Sequence, residues 1–214
     1  ADTGAGLERI AAVMQGESDN FHTDLFLPLL DDVARLVGAP YPGGPAGNGI
    51  SYRVLADHAR AVSFLIADGV YPSNDGRGFV VRRILRRAVR HAWLLGRRVP
   101  TLAEMVPTVV RLMGDAYPVL REKQQTILDW VRQEEENFLR TIEAGLARLD
   151  ELFARGVTEI GGDEAFLLYD TFGFPIDLTE LIAAERGVRV DITGFDAALA
   201  EQRQRSRSAR GGGA

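Results

Sequence analysis

Between Arg77 and Arg98 the chain carries eight arginines and no acidic residue. Val80, Val81, Ile84, Leu85, Ala88, Val89 and Ala92 recur there at helical spacing, so a helix over 77–95 has one apolar face to bury. Arg82, Arg86 and Arg90 stand four apart on the other side, flanked by Arg83 and Arg87. Like charges at that spacing repel, and the helix loses stability unless something of opposite sign neutralises them. Two neutralisers are open. A polyanion suits arginine, whose planar fork bonds phosphate in bidentate fashion. The acidic run Glu134, Glu135 and Glu136 could do the same from within the fold. A mixed answer has one row of arginines inside and another facing RNA.

The remaining periodicity predicts a mainly α fold. Helices are expected over 7–15, 24–37, 52–67, 101–113, 120–154, 164–169, 177–185 and 195–205. Ser51 reads as an N-cap, Pro107 as a kink or break, and 120–154 as one long helix or two abutting ones. A short strand over 157–160 leaves room for one small β-hairpin. Residues 206–214 read as a polar, Gly-rich, disordered tail. No internal repeat is visible. The 214 residues suffice for one large helical domain or two small ones.

Several functions are excluded. Without cysteine there is no disulfide and no thiolate metal site. His22, His58 and His91 lack metal-ligand spacing, so no metal site is expected. No apolar run is long enough to span a bilayer, and no signal peptide opens the chain, which points to a cytoplasmic protein with no membrane partner. The net charge of −5 is the wrong global sign for a nucleic-acid binder, but the local field decides that question.

The N-terminus starts abruptly on a glycine turn, Gly4-x-Gly6-x-Glu8-Arg9, with no room upstream for the sheet such a turn leaves. It is neither a dinucleotide fingerprint nor a P-loop. Two glycines let a ligand approach the backbone, and an arginine on the first helical turn can meet a phosphate. In isolation, a surface turn with a solvated Arg9 is the simpler reading.

Longer strings carry a resemblance. Asp2-Thr3-Gly4-Ala5-Gly6-Leu7-Glu8-Arg9-Ile10-Ala11 resembles motif 3 of class II aminoacyl-tRNA synthetases in its alanyl version. Ala56-Asp57-His58-Ala59-Arg60, the stretch 64–70, Pro72-Ser73-Asn74, Arg77-Gly78 and the stretch 81–91 resemble the region that follows it in alanyl-tRNA synthetases. Leu168-Tyr169-Asp170-Thr171-Phe172-Gly173-Phe174-Pro175 is similar to a later block of that family. The similarity covers nearly the whole chain in the family's order.

The resemblance implies a remnant of the class II catalytic domain over 1–16 and a helical tRNA-recognition domain over 17–205. It implies that Asp2 meets the amino group of alanine, that Gly4 and Gly6 line the adenylate pocket, and that Arg9 binds ATP phosphate. Asn74 and Asp170 would read a G·U wobble pair in the acceptor stem of alanine tRNA, where an amide and a carboxylate suit the edges displayed in the shallow RNA groove. Without the resemblance both would read as turn caps. Arg77, Arg82, Arg83, Arg86, Arg87 and Arg90 are the expected phosphate contacts. ATP with magnesium would serve the full-length enzyme, and no cofactor is expected to bind tightly here. Motifs 1 and 2 and the editing domain have no counterpart in this sequence, so it is not expected to aminoacylate alone. A separate chain could complete the site in trans. A protein-interaction domain that binds no RNA is the remaining alternative.

Overall fold

The computed structural model describes residue 4, residues 6–44 and residues 46–211, the side chains beyond 205 excepted. The order is α1 (Leu7–Gln15), a 3-10 turn (Asn20–His22), α2 (Leu27–Val37), α3 (Gly49–Ala67), α4 (Gly76–Leu94), α5 (Leu102–Met113), α6 (Val119–Glu122) and α7 (Gln124–Ala154). It continues with β1 (Glu159–Ile160), α8 (Gly162–Asp170), α9 (Ile176–Ala184), β2 (Arg189–Val190) and α10 (Ile192–Gly211). The chain divides into two compact units, Ala1–Asn137 and Phe138–Ala214, with the division falling inside α7.

The first unit is organised around α3, which packs against α2, α4 and α5. Leu55, Ala56, Ala59, Val62 and Ile66 of α3 are all buried. They meet Leu29, Leu30 and Val33 of α2 and Val81, Leu85, Ala88 and Ala92 of α4. Of the expected apolar face of α4, Val81, Leu85, Ala88, Val89 and Ala92 are buried, Ile84 is half-buried and Val80 is exposed. Ser51 does not cap α3. The helix begins two residues earlier, and the Ser51 hydroxyl lies inside it, 3.0 Å from His91 Nδ1 of α4. Pro107 does not break α5 either. It falls on the exposed side, while Met105, Val106 and Val109 are buried and hold the helix through the missing amide. The 120–154 stretch is two abutting helices parted at Lys123, whose ammonium donates to the Ala67 carbonyl at the end of α3, 2.5 Å away.

The N-terminus of α5 shows how α7 is used. Thr101 precedes it without a side-chain cap. The Glu135 carboxylate accepts instead, from the amides of Thr101, Leu102 and Ala103, each at 2.9 Å. Those amides have no partner within the helix, and a carboxylate also suits the positive end of the helix dipole. Burial pushes the Glu135 carboxyl up to about 7, against the pull of the three amides.

In the second unit the expected hairpin is a parallel pair, with Glu159 opposite Arg189 and Ile160 opposite Val190. A tight turn cannot join parallel strands, and α8 and α9 form the crossover between them. Phe174 is fully buried against Gly145, where a Cβ would collide with its ring, and meets Phe138 edge-on with centroids 5.4 Å apart. Arg148 holds Glu164 with two bonds, at 2.6 and 2.8 Å. α10 continues to Gly211, past the boundary expected at 205, because residues 206–210 contain neither glycine nor proline.

Two stability predictions follow from these buried groups. Glu135→Ala leaves three amides without an acceptor and should cost about 3 kcal/mol in urea unfolding, with Glu135→Gln losing less. A loss under about 1 kcal/mol would contradict the capping role. The second concerns His91, whose pKa burial and the charges of Arg90 and Arg87 lower to about 3. Below the ordinary histidine value of 6.5, the unfolded chain takes a proton that the folded chain refuses until about pH 3. Glu135 acts in the opposite sense, so the wild-type profile mixes the two. The margin of wild type over His91→Asn should isolate His91, narrowing by about 1.4 kcal/mol per pH unit below about pH 6.5. A margin independent of pH would contradict the neutral, buried state.

Candidate functional site

Two groups of candidate residues lie in the first unit. One is the glycine turn before α1. Gly6 has φ 74°, a left-handed value that favours glycine, and Arg9 follows on the first helical turn. Gly4, Gly6, Glu8 and Arg9 line an open pocket of about 500 Å³ with Asn20, Phe21, Phe26 and Asp57. Asp2 lies outside the described residues. The pocket wall is set by ion pairs from α3. Arg60 Nη2 lies 2.6 Å from Glu8 Oε1, and its guanidinium covers the Phe26 ring at 4.6 Å. The Glu8 carboxyl is held below its usual range by its own backbone amide and by Arg60. Arg53 reaches Asp19 at 2.5 Å and the Tyr41 hydroxyl at 2.6 Å. An exposed arginine beside an open glycine backbone at a helix N-terminus is chemistry for an anion.

The other group is the loop 68–75 with α4. Gly78 is required there, because a Cβ would fall on the Tyr71 carbonyl and the Ser73 side chain. Asn74 is exposed, and its Oδ1 accepts from Arg82 Nη1. Arg82 Nε also lies 3.1 Å from Glu134 Oε1, and Arg86 Nη2 lies 2.7 Å from the same oxygen. Glu134 is almost fully buried. The internal pairing left open by the sequence is therefore present for Arg82 and Arg86. Arg87 points to His58, with Nη1 3.3 Å from Nε2. Arg90 is only 4% exposed. Arg83 is half-buried, and Arg77, on the first turn of α4, is exposed.

Asp170 belongs to the second unit. It is the last residue of α8, is exposed, and its Oδ1 accepts from Gln202 Nε2 of α10 at 2.6 Å. Neither Asn74 nor Asp170 caps a helix through its side chain in the bonds described. No cluster of three or more metal-binding side chains occurs among the described residues. No helix among them is long and apolar enough to cross a membrane.

Three contacts of consequence escaped the sequence reading. The Glu8–Arg60 pair joins residues 52 apart, the Glu135 cap residues 34 apart, and the Arg87–His58 contact residues 29 apart. No local spacing signals such partners. The residues stood in the strings, and only the acidic run was raised as a partner.

Comparison with known proteins matches the sequence to one family. The family model described as tRNA synthetases class II (A) matches residues 1–214. An alanine–tRNA ligase of Desulforamulus reducens is 50% identical over 213 residues, covering 98% of this chain and 24% of the relative. The alanine–tRNA ligase of Chlorobium phaeobacteroides is 49% identical over 214 residues, with 98% and 24% covered. That of Xanthomonas euvesicatoria is 50% identical over 208 residues, with 97% and 23% covered. The chain spans about a quarter of the length of these relatives. With a family model matched from end to end around this pocket and basic helix, the chain belongs to the class II (A) tRNA synthetases.

Proposed function

We propose that this stretch serves an alanine–tRNA ligase by holding the acceptor stem of alanine tRNA, and that its N-terminal turn contributes to the ATP and alanine pocket. The observation that carries the reading is the fixed amide of Asn74. Its carbonyl oxygen is committed to Arg82, which Glu134 anchors, so the group offers its N–H donors from a loop that Gly78 locks. A preorganised donor of that kind suits the acceptors in the shallow groove of an RNA helix. Asp170, committed through one oxygen to Gln202, offers the other as an acceptor for a guanine amino group.

The roles of the arginines divide under this reading. Arg82 and Arg86 position, since Glu134 engages both. Arg77, exposed three residues from Asn74, is the phosphate contact best supported by its surroundings. Arg90 is too buried to meet a phosphate without rearrangement.

The pocket beside Arg9 fits the phosphate part of a nucleotide, because an exposed guanidinium and an open backbone converge on it. ATP with magnesium would supply the activating group there, with Arg9 and Gly6 as its holders and Asp2 as the contact for the amino group of alanine. α1 leaves Leu7, Ile10, Val13 and Met14 exposed, from 47% to 82%. That apolar face supports packing against the remainder of the ligase, supplied in the same chain or in trans.

Titration of an acceptor-stem hairpin, followed by fluorescence anisotropy at two salt concentrations, tests the reading. Binding should weaken with salt. Arg77→Glu should lower affinity about tenfold and flatten the salt slope by about one. Asn74→Ala should cost about 1–2 kcal/mol at either salt. Undiminished binding by both variants would refute the assignment.

A further inference from the structure

α10 runs on past the packing that supports it. Phe195 is buried, Leu199 is half-buried, and Gln202, also half-buried, donates its amide to Asp170 at 2.6 Å. Arg203, Gln204 and Arg205 are exposed, yet the backbone stays helical to Gly211. From Gln202 to Arg210 the chain carries four arginines and no acidic residue. Arg207 and Arg210 follow Arg203 by four and seven residues, so helical periodicity sets the three on one stripe. Like charges at that spacing oppose the helix unless something neutralises them.

Elsewhere in the second unit arginine finds an acid within the fold. Arg148 holds Glu164 at 2.6 and 2.8 Å, and Arg186 and Arg189 stand 3.9 and 3.5 Å from Asp150 and Glu159. The ion pair described on α10 joins Arg205 to Glu201 at 4.0 Å, with both side chains 74% exposed. A pair so open to water holds neither partner firmly. Arg203 has no ion pair among the described bonds. Asp170 adds a requirement of its own. It is an exposed carboxylate whose described bond is to a neutral amide. At the groove of an RNA helix it meets phosphate charge of its own sign, and cations close by have to offset that repulsion. The arginine row begins at the residue after Gln202, the one that holds Asp170.

We propose that Arg203, Arg205, Arg207 and Arg210 form a phosphate-binding row, laid along the backbone of the RNA whose base edge Asp170 meets. This rests on the reading of the stretch as a holder of the acceptor stem. Seven residues of helix span about 10 Å, over which a duplex presents several phosphates. The planar arginine fork suits them. The row also supplies charge that α4 does not, since Arg82 and Arg86 are spent on Glu134. Phosphate contacts carry no sequence information, so the row adds affinity and register while Asp170 adds choice.

Anisotropy titration of the 214-residue chain against the acceptor-stem hairpin and against a hairpin of unrelated sequence provides the test. Arg203→Glu and Arg205→Glu together should lower affinity for both hairpins about tenfold and flatten both salt slopes by about two. Both side chains are exposed, so far-UV circular dichroism should stay as in the wild type. Arg203→Lys with Arg205→Lys keeps the charge and should keep both slopes. A slope lost in the lysine variant as well overturns the proposal. So does unchanged affinity and slope in the glutamate variant, even where Asn74→Ala and Arg77→Glu weaken binding as the acceptor-stem reading requires; the row would then face an acidic protein or water. The converse result, a weakened glutamate variant with Asn74→Ala and Arg77→Glu unchanged, keeps the row as an RNA contact and refutes the acceptor-stem reading. Failure of the wild type to bind either hairpin refutes both.

Discussion

Two neighbouring carboxylates on α7, Glu134 and Glu135, anchor the polar architecture of the first unit. Both are almost fully buried. An unpaired buried carboxylate would cost several kcal/mol, so each must be matched. Glu135 is matched by the free amides of α5, and Glu134 by Arg82 and Arg86 of α4. One turn of α7 therefore fixes the start of one helix and the charged side of another. Through Arg82 the same turn reaches Asn74, the exposed amide that the proposed function depends on.

This arrangement gives the arginine-rich helix a physical basis. Five arginines from Arg82 to Arg90 would oppose one another on an isolated helix. In the folded chain they are spread over different environments: a buried carboxylate, a histidine and the protein interior. Arg77, beside the Asn74 loop, is exposed, whereas Arg82, Arg83, Arg86 and Arg87 are half-buried. Most of the arginine row builds the surface, and a smaller part of it is presented by that surface.

The apolar periodicities of α2, α3 and α4 were legible because each buries one continuous face in the first unit. Propensity misled where packing overruled it. Pro107 stays inside α5 because the opposite face is buried, and Ser51 is drawn into α3 by His91. The short strand near 160 was visible, but its partner lies beyond two helices, so the parallel pairing was not. Within the candidate sites, the glycine turn and the Pro-Ser-Asn loop were legible as strings. The Arg87–His58 contact was not, since its partners stand on different helices. The sequence left the arginines undecided between internal acids and RNA, and Arg82 and Arg86 pair with Glu134.

On the proposed reading, Asn74 makes this stretch a reader of a base pair and not merely a basic cradle. The most direct measurement is a paired titration of two acceptor-stem hairpins that differ only in a G·U pair replaced by G·C. The G·U hairpin should bind tighter by at least about 1 kcal/mol, the scale of one good base-reading contact, with the gap preserved as salt rises. Equal affinity for the two hairpins, falling alike with salt, would contradict it.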